Sequence, residues 1–76
     1  MTAEFLKAIK ETLALEKPVS MEDRFREYEI WDSLSYLVLN LMLEELYGVE
    51  ITNEEFKEMD TINDIYIYVT NHSGIN

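Results

Sequence analysis

The chain has no cysteine, two glycines, one proline and one histidine among its 76 residues, and each shortage removes a class of function. Without cysteine there is no disulfide and no thiolate metal site, so any thiol chemistry must arrive on an added group. The lone histidine, His72, falls near the C-terminal end, so neither a nucleophile–base pair nor an imidazole metal site can be assembled. Two glycines cannot build a phosphate-cradling loop, and no Asp-x-Asp-x-Asp-Gly run matches a calcium loop. Basic residues are also scarce: six against sixteen acids give a formal charge of -10, beyond the magnitude of ~2 to 8 usual for a small soluble domain. Five of the six bases lie in the first 26 residues, and from Glu27 to Asp64 only Lys57 stands among eleven acids. That half should attract basic protein surfaces and repel nucleic acid. No apolar run approaches the ~20 residues of a membrane span, and the N-terminus lacks a basic flank followed by an apolar segment. The expectation is a cytoplasmic protein that is not an enzyme, holds no metal, and has neither membrane nor nucleic acid as a partner.

What is present is a chain with 47% hydrophobic residues, enough for one small fold. A chain this short hides only ~60% of the surface it exposes when unfolded. One domain over residues 1–76 is expected. In residues 2–15, Phe5, Leu6, Ile9 and Leu13 recur at helical spacing, with Thr2 as the candidate cap and Pro18 setting the end. Residues 18–31 follow neither period and read as a long ordered loop pinned by Val19, Met21, Phe25, Tyr28, Ile30 and Trp31, in which Ser20 could cap a short turn.

The stretch from residue 31 to residue 48 reads as the central helix, with Asp32 and Ser33 at its start and Gly48 at its stop. Placing residues at 100° steps separates two apolar groups. Leu39, Met42, Leu43 and Leu46 form a stripe suited to a core. Leu34, Leu37, Val38 and Leu41 form a second stripe beside Ser33, with Glu44 and Glu45 one turn further along that side. A domain of this size cannot cover a central helix on every side, so the second stripe should stay accessible.

After Gly48, Thr52-Asn53-Glu54-Glu55 has capping-box spacing and opens a short helix carrying Phe56 and Met59, ending near Asp60. Thr61 with Asp64 repeats the signal, and Ile62, Ile65, Tyr66 and Val69 form a last helical stripe. Residues 65–69 also alternate like a strand, but no second strand exists to pair with them. Residues 71–76 are expected to fray. The fold class is all-α: a four-helix bundle of three main helices and one short one, with a long loop between the first and second helices.

Ser33 is the hydroxyl of interest. Asp32 or Ser33 serves as the helix cap, and a phosphate esterified to Ser33 would also sit at the positive end of the helix dipole. No base stands beside the hydroxyl, so another enzyme must activate it. At these residues the chain resembles the acyl carrier protein family. Asp32-Ser33-Leu34 carries the likeness, together with Leu41-Met42-Leu43-Glu44-Glu45-Leu46-Tyr47-Gly48-Val49-Glu50-Ile51, Thr52-Asn53-Glu54-Glu55-Phe56, Asp60-Thr61-Ile62-Asn63-Asp64-Ile65 and Arg24-Phe25 in the loop.

The resemblance implies 4′-phosphopantetheine attached covalently to Ser33 by a magnesium-dependent phosphopantetheinyl transferase, with Asp32 aiding that transfer by recognition or as a metal bridge. Acyl groups would ride on the arm's thiol as thioesters. Leu34, Leu37, Val38, Leu41, Glu44 and Glu45 would be read by acyl ligases, synthases or transferases with basic docking surfaces. A short or medium acyl chain would fold back among Leu43, Leu46, Phe56, Ile62 and Tyr66. The implied roles are fatty acid, polyketide or related secondary-metabolite biosynthesis by a free-standing monomer.

The chain departs from the carriers of fatty acid synthesis in having Ile30 and Trp31 before Asp32 where a glycine precedes the motif by two, and Ser35 and Val38 at two positions that tend to be acidic. These departures suggest a specialised carrier. An aminoacyl, peptidyl or D-alanyl carrier is the alternative within the family, and an unmodified helical interaction module the alternative outside it.

Overall fold

In the computed structural model, which describes residues 2–72, four α-helices follow one another: α1 (Thr2–Thr12), α2 (Ser33–Tyr47), α3 (Asn53–Lys57) and α4 (Ile62–His72). A 3-10 turn at Phe25–Glu27 interrupts the loop between α1 and α2. Among the described residues there is no strand, only an isolated bridge between Arg24 and Thr61. The fold is the all-α four-helix bundle expected from the sequence, and residues 65–69 are helical.

Helix α1 stops at Thr12, three residues before the expected limit, and Pro18 is not the cause. Ala14 takes φ 55, the left-handed region, and reverses the chain. Its N–H donates to Glu11 O at 3.2 Å while the Leu15 N–H donates to Lys10 O at 2.9 Å, so two of the last carbonyls are satisfied by a Schellman closure. That conformation costs a residue with a Cβ about 1–2 kcal/mol. The burial of Leu13 and the part-burial of Leu15 on either side offset it. At the end of α2 the same left-handed turn falls on Gly48, φ 68, which carries no such cost.

The long loop is ordered by its own polar groups and by α4. The Ser20 N–H donates to the Asp23 carboxylate at 3.0 Å, and the Asp23 N–H donates back to Ser20 O at 3.1 Å. The first N–H groups of α4 then find partners in this loop: Ile62 N–H donates to Asp23 O at 2.9 Å and Asn63 N–H to Met21 O at 2.8 Å. These are groups a helix start leaves unpaired, so the loop serves as an external cap. Asp64 adds to it by accepting from the Thr61 and Asp60 N–H groups at 3.0 and 2.8 Å, bonds that hold its carboxyl below the usual range.

The core gathers Phe5 and Ile9 from α1 and Leu13 from the turn after it, Leu39, Met42 and Leu43 from α2, Phe56 from α3, and Ile62, Ile65 and Val69 from α4, with Phe25 reaching in from the loop. Phe5 meets the ring of Tyr66 edge-on at 5.1 Å and that of Tyr47 at 6.1 Å, tying α1 to α4 and to the last turn of α2. Short α3 ends at Lys57, before the expected limit near Asp60, and Arg26 comes across from the loop to take the carbonyls of Phe56, at 2.8 Å, and Met59. Asn71 and His72, expected to fray, are the last residues of α4; residues 73–76 lie outside the described residues.

Candidate functional site

The start of α2 is built by Asp32 and Ser35. Asp32 stands in an extended conformation, and its Oδ1 accepts from the Ser35 N–H at 3.0 Å and from the Ser35 hydroxyl at 3.1 Å. The Ser35 Oγ in turn accepts the Asp32 N–H at 3.1 Å. This is a reciprocal capping box, with serine in the place where glutamate or glutamine is usual. Of the two candidate caps, Asp32 is the one used. Ser35, only 6% exposed, stands three residues after Asp32, the spacing that signals this second role.

Ser33 is consequently left uncommitted. It is the first residue of α2, it is exposed, and its hydroxyl has no partner among the described residues. It sits where backbone N–H groups point outward and the helix dipole is positive, an environment that favours a phosphate ester. The like charge of Asp32 is moderated because Oδ1 is turned to Ser35. An exposed, unbonded hydroxyl at a helix mouth fits a covalently attached phosphate-linked group. No base adjoins it, and no cluster of metal-binding side chains occurs among the described residues.

Below Ser33, Leu34, Leu37, Val38 and Leu41 are 65%, 57%, 42% and 56% exposed, and Glu44 and Glu45 are exposed at the foot of the same helix. Both acids lie in the last turn, where the dipole is negative and no base compensates. Acids there are disfavoured by about 0.3–1 kcal/mol. Helix stability therefore does not account for Glu44 and Glu45.

Leu46 corrects the expected division of α2. Its angle places it within the core stripe, yet it is 53% exposed, on the rim of a shallow groove of about 280 Å³ shared with Thr12, Val38, Leu41, Met42 and Glu45. A helical wheel fixes a direction but not whether a neighbour stands in that direction. Here it is Tyr47 that turns onto Phe5. The five residues expected to receive an acyl chain do not share one surface: Leu43 and Ile62 are wholly buried, Phe56 is 7% exposed, Tyr66 is half-buried, and Leu46 lies outside.

A third face of α2, unseen in the sequence, holds the connection to α3. The Asn40 amide donates to Ile51 O at 3.1 Å and accepts the Ile51 N–H at 2.9 Å, and the Tyr36 hydroxyl donates to the same carbonyl at 2.6 Å. Burial, reinforced by Glu50, pushes the Tyr36 hydroxyl above its ordinary range and keeps it a donor. Thr52 and Glu55 then start α3 with a second capping box. Hydrogen bonds from Thr52 and then Tyr68 hold the Glu55 carboxyl below its usual value. The sequence also gave no sign of an open cleft of about 850 Å³ beside the long loop, lined by Leu15, Lys17, Arg24, Tyr28 and Ile30 among others and by none of the expected site residues.

The family described as "Phosphopantetheine attachment site" matches residues 3–69, from the first turn of α1 to the buried Val69 of α4. The chain belongs to the phosphopantetheine-attachment family. It is also similar to a protein of Rubrobacter xylanophilus named acyl carrier protein, 39% identical over 57 residues, which are 75% of this chain and 70% of that one. The chain is thus a member of the acyl carrier proteins, whose domain is the site of covalent 4′-phosphopantetheine attachment. Such carriers are non-catalytic. No helix among the described residues is long and apolar enough to cross a membrane.

Proposed function

We propose that Ser33 is the attachment residue and that the protein carries acyl groups as thioesters on the added arm, presenting them to enzymes of fatty acid, polyketide or related secondary-metabolite biosynthesis. The observation that carries this reading is the Ser33 hydroxyl, exposed and unbonded at the first position of α2 while its neighbours Asp32 and Ser35 are bonded to each other. Ser33 Oγ attacks the pantetheine-bearing phosphorus of coenzyme A, the pyrophosphate P–O bond breaks and adenosine 3′,5′-bisphosphate leaves, and the serine proton passes to a base on the transferase, since this chain supplies none. Asp32 supports the transfer by recognition or by bridging a metal ion, with Oδ1 steadied by Ser35.

The partners are a phosphopantetheinyl transferase and acyl ligases, synthases or transferases with basic docking surfaces. Leu34, Leu37, Val38 and Leu41 offer them apolar contact, and Glu44 and Glu45, placed against the helix dipole, offer charge. The carrier works as a monomeric single domain in the cytoplasm beside those enzymes. Incubation with coenzyme A, magnesium and a broad-specificity phosphopantetheinyl transferase, followed by intact-mass measurement, tests the reading. A gain of one phosphopantetheine that disappears in Ser33→Ala is expected; no gain, or a gain that survives the substitution, overturns it. Loading assays with acyl and aminoacyl ligases then separate acyl from aminoacyl cargo.

A further inference from the structure

The side of α2 that faces α3 is filled by four aromatic rings from three parts of the chain. Phe56 of α3 lies 5.0 Å from Phe25 and 5.9 Å from Trp31, nearly parallel to the indole at 21°, and 4.7 Å from Tyr36 of α2; Trp31 lies 5.0 Å from Phe25. The cluster is held at both ends of α3. At its end, the Arg26 guanidinium lies over the rings of Phe25 and Phe56, at 4.7 and 5.2 Å, and donates to the carbonyls of Phe56 and Met59. Ahead of its start, Tyr36 and Asn40 hold Ile51 by three hydrogen bonds.

Protein interiors are packed as densely as organic crystals, so an acyl chain can enter between α2 and α3 only if side chains leave. Phe56, which meets all three of the other rings, stands at the centre of that packing. Its departure strips Arg26 of one of its two rings and breaks three of the four ring contacts, leaving that between Phe25 and Trp31.

We infer that Phe25, Trp31, Tyr36 and Phe56 form an aromatic plug that keeps the cargo outside the bundle, so that this carrier serves short or polar acyl groups and not long saturated ones. The inference rests on the carrier reading above and replaces the fold-back of an acyl chain among Leu43, Leu46, Phe56, Ile62 and Tyr66. Phe56 is the specificity-determining residue. The ring closes the space into which a hydrocarbon chain would otherwise withdraw from water.

The test loads the protein at Ser33 with acetyl-, butanoyl-, octanoyl- and dodecanoyl-phosphopantetheine from the corresponding coenzyme A thioesters. Intact mass, thermal midpoint and amide exchange in α3 are then measured. With the plug in place, the midpoint and the α3 exchange rates stay constant across the series. In Phe56→Ala the space is open, and the midpoint climbs with chain length. Arg26→Gln, which loosens α3 without removing a ring, shows a weaker climb of the same sign. A midpoint that rises with chain length in the unaltered protein, with α3 exchange slowing in step, overturns the plug, and this series needs no variant to fold. Absence of any mass gain overturns the carrier reading and the plug's role with it, so the two failures are told apart by the mass alone.

Discussion

Leu41 and Leu43 stand two residues apart on α2, and one is 56% exposed while the other is wholly buried. The same contrast runs the length of the helix. Ser35, Leu39 and Leu43 face the core or the cap, whereas Leu34, Leu37 and Leu41 face solvent. Side chains of similar hydrophobicity are thus used for packing on one face and left in water on the other, where burial of each would have contributed about 1.5–3 kcal/mol. A fold stabilised only for its own sake would cover them or replace them with polar residues. The buried face serves the bundle, and the exposed face, with Glu44 and Glu45 placed against the helix dipole, is the one proposed above for docking.

The largest effect that would break this comparison lies in the core. Leu43→Ala should cost about 2–5 kcal/mol in urea unfolding, from lost burial and the cavity left behind. Leu37→Ala should stay within about 0.5 kcal/mol of the parent while slowing modification of Ser33 or acyl loading. Equal losses of stability in the two variants would merge the faces and refute the division. Next comes the third face: Asn40→Ala leaves the Ile51 N–H without its partner and should cost about 1–3 kcal/mol, with faster amide exchange at the start of α3. One stability effect has the opposite sign. Glu44→Lys puts a cation at the negative end of α2 and should stabilise the helix by up to about 1 kcal/mol. The same change should slow acyl loading by enzymes with basic docking surfaces, and a variant both more stable and faster to load would remove Glu44 from the docking face.

Much of the fold was legible because it rests on local signals. The periodicity of Phe5, Ile9 and Leu13, the capping spacing of Thr52 with Glu55 and of Thr61 with Asp64, and the glycine after Tyr47 each act within a few residues of themselves. The end of α1 was misread because alanine is a rare occupant of the left-handed turn, and only its buried flanks make Ala14 tolerable there. Leu46 was misread because a wheel records angle and not cover. Asn40, Tyr36 and Arg26 were missed because their partners are backbone groups 11 to 33 residues away, and a carbonyl has no sequence signature.

Composition and spacing over a turn or two were enough for the helical class, the charge, the lack of cysteine and of a second histidine, and the serine at the mouth of the central helix. Which of Asp32 and Ser33 is the cap, which leucines remain in water, and that four aromatic rings meet beside α2 and α3 came only from the tertiary structure. Those outcomes depend on which distant segments reach the same place, and that is settled by packing the whole chain at once.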